Sequence, residues 1–361
     1  MPYCDFNSHE THAVPESRYV RTLLLDLRSD LPLLQDRTVD TLFIGGGTPS
    51  LFSAESIREL LLGVADLVPL SPSLEATMEA NPGSAEAGKF ADFREAGINR
   101  LSLGIQSFSD TQLLGLGRVH NSDQALAAIR SAHAAGFDNI NLDLMHGLPG
   151  QTATGARADL QTAIDYAPTH LSWYQLTIER NTVFHKHPPL LPVEDELAEI
   201  QSSGEHLLAA SGYQQYEVSA YSQPGYECRH NTNYWSFGDY VGVGAGAHGK
   251  ITFTDGRIQR YAKRRLPEQY MASTRAAFVA SCRTLDRVEM IGEFMLNALR
   301  LNSGFSLRQF TAYTGLGREQ LEPTLGSLCQ RALLACDGDR VKATELGRRF
   351  LDNVVSEFFP D

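Results

Sequence analysis

The chain has 361 residues, of which 43 are acidic and 31 basic, giving a formal net charge of −12. At roughly 100–200 residues per domain, this length predicts two domains or one large domain with an appendage. The excess of negative charge argues against a general nucleic-acid-binding face, which needs a basic surface. The apolar share of 42% and the charged share of 20% are ordinary for a globular protein and favour a folded chain.

The cysteines and the first ten residues indicate the cellular compartment of the protein. The five cysteines show no paired framework, which is typical of a reducing cytosol. They are Cys4, Cys228, Cys282, Cys329 and Cys336. Residues 1–10 have no basic start and no apolar run, and no stretch approaches ~20 continuous apolar residues. We therefore expect a cytoplasmic protein.

Over the first two-thirds of the chain, short apolar runs alternate with helical patterns. The runs predicted as strands are Thr41–Ile44, Leu74–Glu79, Arg100–Ile105, Ile140–Met145, Leu171–Leu176 and Tyr216–Ala220. Helix starts are predicted at Ser53, Ser84, Ser109 with Gln112 as a capping box, and Asn121 or Ser122, with a further helix over Glu194–Ser211. Parallel strands need crossovers, so this alternation predicts an open or closed α/β barrel.

The last third has a different pattern, which predicts a small helical domain with the outline of a winged helix. Helical periodicity covers Val288–Leu299, Leu307–Thr314 and Arg318–Gln330, a short strand or wing covers Arg340–Thr344, and a final helix covers Leu346–Phe359. We place the domain boundary between residues 255 and 256. Since the chain is acidic, a packing or partner role is favoured over nucleic-acid binding.

Polar or glycine-rich segments follow four of the predicted strands, at Gly45–Ser50, Glu79–Gly83, Gln106–Ser109 and Asp143–Gly150. Barrel enzymes carry their chemistry at the carboxyl ends of strands. Any one of these segments alone would fit an ordinary turn. The first is neither a P-loop nor a dinucleotide fingerprint, because the glycine spacing differs and no Gly-Lys-Ser/Thr follows.

Six motifs, taken together and in order, resemble the radical S-adenosylmethionine (SAM) superfamily. They are Tyr3-Cys4-Asp5-Phe6, Gly45–Ser50, Glu79-Ala80-Asn81-Pro82, Gly104-Ile105-Gln106-Ser107-Phe108, Asp143–Gly150 and His230-Asn231-Thr232-Asn233-Tyr234-Trp235. The resemblance covers essentially the whole chain and is to the oxygen-independent coproporphyrinogen III oxidase-like proteins, within them to the HemW-type heme chaperones. It implies a partial (β/α)6 barrel that lacks its first strand, followed by the helical C-terminal domain.

In this family three cysteines spaced C-x3-C-x2-C hold a 4Fe–4S cluster. Cys4 matches the third cysteine, the second would fall at Met1, and the first would precede the chain. A methionine thioether does not replace a thiolate here. We therefore expect that the chain as written does not assemble the cluster and that it starts inside the cluster loop, through a substitution, a frameshift or a fragmentary gene model.

The other cofactor positions of the family are present. The resemblance implies that Gly46, Gly47 and Thr48 meet the methionine end of SAM and that Glu79 faces the cofactor. The backbone of Tyr3 would face the adenine.

Three polar side chains complete the implied SAM site. Gln106 would lie near the ribose, Arg118 would offer a cationic fork to a carboxylate, and Asp143 would accept from the ribose hydroxyls. Outside the ordered set of motifs, a solvated loop arginine and a turn aspartate remain the alternatives for Arg118 and Asp143.

The segment His230-Asn231-x-x-Tyr234-Trp235 resembles the heme-binding motif of the HemW-type proteins. A neutral imidazole is a good ligand for heme iron, and aromatic rings pack on a porphyrin face. A core histidine beside aromatic packing is the alternative. Cys228 is expected to be an inert buried thiol rather than a second ligand. Weaker histidine candidates are His248, in a glycine-rich strand and turn, and His185 and His187, which we expect to face solvent.

Two functions follow from the resemblance. The first is a chaperone that binds heme and delivers it to respiratory apoproteins, with SAM and cluster sites, a transient membrane-protein partner and a homodimer as further expectations. The second is an oxygen-independent coproporphyrinogen III dehydrogenase, an oxidoreductase of porphyrin biosynthesis. The heme motif favours the first, and an inactive homologue is the third alternative.

Overall fold

A seven-strand sheet forms the centre of the computed structural model, which describes residues 1–4, 7 and 15–359. Its strands are β1 (Val39–Ile44), β2 (Leu70–Ala80), β3 (Arg100–Gln106), β4 (Asn139–His146), β5 (His170–Gln175), β6 (Gln214–Glu217) and β7 (Ala220–Ser222). The order is β1-β2-β3-β4-β5-β7-β6, and β1 to β5 are parallel. The sheet is curled, so the predicted partial barrel is confirmed.

The sixth predicted strand is a hairpin rather than a parallel strand. β7 pairs antiparallel with both β5 and β6. Between β6 and β7 the carboxylate of Glu217 accepts hydrogen bonds from the backbone N (3.3 Å) and Oγ (3.1 Å) of Ser219. Such local side-chain bonds favour a turn over a continuous strand.

Helices connect the strands and cover the outer face of the sheet. They are α1 (Glu16–Leu34), α2 (Ala54–Leu67), α3 (Ser84–Ala87), α4 (Phe90–Ala96), α5 (Asp110–Gly115), α6 (Ser122–Ala134), α7 (Ala153–Asp165), α8 (Val183–Lys186) and α9 (Glu194–Ala210). The predicted caps at Ser53 and Asn121 are confirmed. The predicted cap at Ser84 is wrong: Ser84 is the first residue of α3, and the N-cap is Gly83. The capping box at Ser109 is wrong: its side chain makes no cap hydrogen bond, and Gln112 donates instead to the Pro149 carbonyl, at 3.2 Å.

The two faces of the sheet differ in polarity. Outward side chains form the main apolar core under the helices, among them Met78, Leu101, Leu103, Leu142, Leu144, Leu171 and Trp173. Because side chains alternate along a strand, the intervening positions face inward. These inner positions are Glu75, Thr77, Glu79, Arg100, Ser102, Gln106, Asn141, Asp143, His170, Ser172 and Tyr174. Parallel strands are usually apolar on both faces, so a polar inner face marks the candidate site.

A second, antiparallel sheet packs against α1. It consists of β8 (His248–Thr252), β9 (Ile258–Lys263) and β10 (Val279–Thr284), with α10 (Arg229–Trp235) before it and α11 (Pro267–Met271) within it. The buried Lys263 Nζ lies 2.6 Å from Asp26 Oδ1 and 2.7 Å from Asp30 Oδ2, both on α1. The domain boundary between residues 255 and 256 falls in the β8–β9 turn and stays a prediction.

The C-terminal region has the predicted winged-helix outline. It contains α12 (Arg287–Ala298), β11 (Phe305–Ser306), α13 (Leu307–Thr314), α14 (Thr324–Gln330), β12 (Leu334–Asp337), β13 (Arg340–Ala343), α15 (Glu345–Arg349) and α16 (Leu351–Ser356). The strands form one small sheet in the order β11-β13-β12. The predicted helix Arg318–Gln330 is interrupted at Pro323, the residue before α14. Proline has no backbone N–H, so it cannot donate the hydrogen bond that a continuous helix needs there. The predicted final helix is divided at Phe350.

The expectation that the cysteines are unpaired is wrong for two of the five. Cys329 and Cys336 form a disulfide, with their Cα atoms 6.7 Å apart. α14 and β12 are consecutive, so the short turn between them brings together two cysteines that are seven residues apart. Within the described ranges, no helix is both long and apolar enough to cross a membrane.

Candidate functional site

The glycine segment after β1 packs closely on Glu79 at the end of β2. The backbone N of Gly46 donates to Glu79 Oε2 at 3.0 Å, and Gly46 has a φ of +123°, which favours glycine. A Cβ on Gly45 would lie 2.6 Å from Phe43 and 3.0 Å from Glu79 Oε2. Burial, with the Asp143 charge adding to it, raises the pKa of Glu79 to about 7.

Arg118 joins the loops that follow three strands. Its Nη2 donates to the carbonyl of Gly104 at 2.6 Å and to Asn81 Oδ1 at 3.0 Å. Asn81 Nδ2 in turn donates to Thr48 Oγ1 at 3.2 Å. Arg118 is half-buried in this network, and its Nη1 lies 2.8 Å from Met1 Sδ.

Asp143 and Gln106 lie on neighbouring strands of the inner face. Asp143 accepts from Asn141 Nδ2 at 2.8 Å and from Ser102 Oγ at 3.1 Å, and burial raises its pKa. It lies within β4 rather than in a turn. Gln106 ends β3 with a φ of +72°, and its Oε1 accepts from the Tyr174 hydroxyl at 2.7 Å. The predicted SAM residues are thus brought to one end of the barrel.

Tyr3 lies at the same end. Burial raises the pKa of its hydroxyl, and the charges of Arg118 and Asp143 also act on it. Its ring centroid is 6.5 Å from that of Phe184. Next to it, Cys4 is a half-buried free thiol.

The donors around Cys4 do not fit a 4Fe–4S cluster. Among residues 1–4, 7 and 15–359, no group of three or more histidine, cysteine, aspartate or glutamate side chains could hold a metal ion. The other free cysteines of these ranges are Cys228, the N-cap residue before α10, and Cys282 on β10. A cluster of this kind needs thiolates, so we assign no step to one.

The heme motif forms α10, and its first turn is held by Glu75 of β2. The Glu75 carboxylate accepts from the backbone N of Arg229 (3.2 Å) and of His230 (3.1 Å). The His230 ring stacks on Phe43, with centroids 4.6 Å apart and an interplanar angle of 20°. Burial lowers the pKa of His230, and its imidazole makes no hydrogen bond to any described residue. His230 lines a cleft of about 2550 Å³ that runs along β1.

The remaining motif residues point in different directions. Tyr234 lines the cleft with His230. Trp235 packs edge-on against Tyr234 at 5.0 Å, and the Arg300 guanidinium lies 4.3 Å from its ring centroid. Asn231 does not line the cleft; its side chain interacts with the hydroxyl of Tyr216 and lowers the pKa of that group.

The weaker candidates behave largely as the sequence predicts. Cys228 is buried with its Sγ 3.7 Å from Glu75 Oε1, and burial raises its pKa, as expected for an inert thiol. His185 and His187 are exposed, which confirms the prediction, and His248 is exposed at the start of β8.

Sequence reasoning missed several polar residues of the inner face. Arg100 is 2% exposed with an unpartnered Nε among the described residues, and His170 is fully buried. Asn141 and Tyr174 bond to predicted site residues. Their signal was present in the sequence: a polar residue at every second position of an otherwise apolar strand.

Comparison with known proteins defines the class. The family model "Radical SAM superfamily" matches residues 2–162, and "HemN C-terminal domain" matches residues 285–350. The solved coproporphyrinogen III oxidase HemN from Escherichia coli, described as a radical SAM enzyme, superimposes with a TM-score of 0.81 at 21% identity. The match covers 99% of this chain and 86% of that one. The fold is therefore that of a radical SAM protein with a HemN-type C-terminal domain.

Curated relatives define the family more narrowly. The heme chaperone HemW of Escherichia coli strain K12 is 47% identical, over 100% of this chain and 95% of its own. HemW of Haemophilus influenzae is 44% identical (100% and 94%), and HemW of Bacillus subtilis is 32% identical (99% and 95%). The chain belongs to the HemW heme-chaperone family, as the motifs predicted.

Proposed function

We propose that this protein binds heme at the cleft face of α10 and delivers it to respiratory apoproteins. The observation that carries the proposal is the state of His230. Its ring lies in the cleft wall, is held flat against Phe43, and makes no hydrogen bond to a described residue. Because burial lowers its pKa, the imidazole is neutral near pH 7, which is the form that ligates iron.

Tyr234 supports the same proposal. It lies one turn of α10 after His230 and lines the same cleft, so both side chains can contact one flat ligand. Its hydroxyl lies 3.3 Å from that of Tyr240, a contact that orients the ring. Asn231 interacts with Tyr216, and Trp235 packs against the Arg300 guanidinium, so these two side chains hold α10 in place rather than contacting a ligand in the cleft.

The polar strand ends support a SAM site of the family type. Gly46, Gly47 and Thr48 would hold the methionine end, because the two glycines are exposed and a ligand can approach their backbone closely. Glu79 is half neutral near pH 7 and can donate or accept there.

At the nucleoside end, Asp143 and Gln106 would bind the ribose, the Tyr3 backbone would face the adenine, and Arg118 would bind a carboxylate. A Cβ on Gly104 would lie 3.2 Å from both Arg118 Nη2 and Gln106 Nε2, so glycine leaves these two groups room. Bound SAM supplies a sulfonium and an adenosyl group. The residues of this chain bind and orient it, and no redox step is assigned.

Heme titration followed by visible absorption tests the proposal. The wild-type chain should give a saturable heme spectrum, and His230→Ala should lose it or weaken the affinity by at least ten-fold, about 1.4 kcal/mol. His248→Ala is the matched control, since His248 is exposed and lines the same cleft. Unchanged binding by His230→Ala would remove His230 as the ligand.

A coproporphyrinogen III dehydrogenase is the second candidate, favoured only by the fold shared with HemN. That reaction needs radical chemistry, and the described donors do not fit the cluster. Anaerobic conversion of coproporphyrinogen III by this chain would reverse the order of the two candidates. Stoichiometric iron with a cluster-type absorption band after reconstitution would show that this chain does hold a 4Fe–4S cluster.

A further inference from the structure

A chain of buried hydrogen bonds crosses the barrel from Asp143 to Tyr216, whose hydroxyl lies beside Asn231 of α10. Asn141 Nδ2 lies 2.8 Å from Asp143 Oδ1, and Asn141 Oδ1 lies 2.6 Å from His170 Nδ1. His170 Nε2 lies 2.9 Å from the Tyr216 hydroxyl, and the Asn231 side chain of α10 interacts with that hydroxyl and lowers its pKa. The chain therefore joins two residues, Asp143 and Asn231, that belong to two different sequence motifs.

The chemistry of the partners fixes the direction of each bond. Asn141 donates its amide to the Asp143 carboxylate, so its oxygen faces His170, and the His170 Nδ1 must carry the proton. Burial holds the pKa of His170 well below its usual range, so the ring is neutral and Nε2 accepts from the Tyr216 hydroxyl. The Tyr216 oxygen is left to accept from Asn231. Every donor in the chain thus points toward Asp143.

The surroundings reinforce this polarity. Ser172 Oγ donates to Asn141 Oδ1 at 3.1 Å, so the amide oxygen has a second donor beside His170. Ser102 Oγ donates to the other oxygen of Asp143, at 3.1 Å. The charge of the buried Arg100 acts on both Asp143 and His170, favouring the carboxylate anion and the neutral imidazole.

We infer that His170 and Tyr216 are positioning residues that couple the nucleoside end of the barrel to the heme motif. A ligand whose vicinal hydroxyls donate to Asp143 competes with Asn141 for that carboxylate. The hydrogen bond from Asn141 to Asp143 becomes weaker, and with it the bonds that His170 and Tyr216 donate further along the chain. The change reaches Asn231, whose neighbour on α10 is His230. Occupancy at Asp143 therefore alters the heme affinity, and by linkage heme alters binding at Asp143 to the same degree. The inference rests on the proposed heme site.

A double-mutant cycle read by heme titration tests the coupling. Asp143→Asn removes the charge toward which all the donors point, and we expect it to change the heme dissociation constant by about five-fold, the lower end of typical couplings. In the Tyr216→Phe background, which keeps the ring and breaks the chain, the same substitution should change nothing. Tyr221→Phe is the control: it removes a buried hydroxyl of β7 outside the chain and should preserve the Asp143→Asn effect.

The outcomes separate the inference from the proposed function. If heme binds but Asp143→Asn has no effect, or has the same effect with and without the Tyr216 hydroxyl, the coupling is refuted. If no form binds heme, the proposed function fails. In that case nitrogen-15 NMR of the His170 imidazole decides the relay itself: an Nδ1-protonated ring whose shifts move in Asp143→Asn supports it, and an Nε2-protonated ring overturns it.

Discussion

The anchoring of α10 by Glu75 gives a prediction of defined size. The Glu75 side chain is 7% exposed, and its carboxylate accepts from the first two backbone N–H groups of the helix, at 3.2 and 3.1 Å. Loss of a helix cap costs about 0.5–2 kcal/mol, and loss of an anion at a helix N-terminus about 0.3–1 kcal/mol. Glu75→Ala should therefore lower the free energy of unfolding by about 1–3 kcal/mol.

Urea denaturation at neutral pH measures this change through the transition midpoint. Glu75→Gln should cost less than Glu75→Ala, because its amide oxygen still accepts one hydrogen bond. Glu59→Ala is the matched control: Glu59 is exposed on α2, and its loss should stay within about 0.5 kcal/mol. If Glu75→Ala costs no more than Glu59→Ala, the carboxylate does not anchor α10. The heme affinity should fall together with the stability, since α10 carries His230.

Three further predictions concern stability. The raised pKa of Glu79, about 7, means that the folded protein loses stability as pH rises from about 4.5 to 7 and this carboxyl ionises; Glu79→Gln should remove that loss and be more stable by about 2 kcal/mol near pH 8 but not near pH 5, by urea midpoints. Lys263→Met leaves two buried aspartates unpaired and should cost about 3–5 kcal/mol in the same assay, against almost nothing for the exposed Lys342→Met. Gly204→Ala should lower the free energy of unfolding by about 1–3 kcal/mol and so lower Tm, because its Cβ would lie 2.1 Å from Trp173. Alanine favours helices more than glycine does, so an unchanged or higher Tm would contradict this prediction.

Local signals predicted the barrel elements well. The apolar runs for β1 to β5 lie within a few residues of the observed strands, and Asn121 caps α6 through a full capping box. The same reasoning failed at Ser109, where Gln112 finds a partner in another loop, the Pro149 carbonyl. A capping box is decided locally only when no distant acceptor competes for its side chains.

The site was predicted in part. The family resemblance named Glu79, Arg118 and Asp143, and the structure brings them to one end of the barrel. The motifs did not name Asn141 or His170, because neither follows a strand end or a glycine run. Their position became meaningful only when neighbouring strands placed them in register, Asn141 opposite His170.

By itself the sequence determined the parallel α/β core, the C-terminal domain and the family, because these depend on periodicity and on residues close together in the chain. The tertiary structure alone decided the hairpin of β6 and β7, the disulfide, and the division of the heme motif between cleft and interior. It also decided the anchoring of α10 by Glu75, some 155 residues away in the chain. Hydrogen bonds and burial act over a few ångströms in space, and only the folded sheet brings such distant residues within that range.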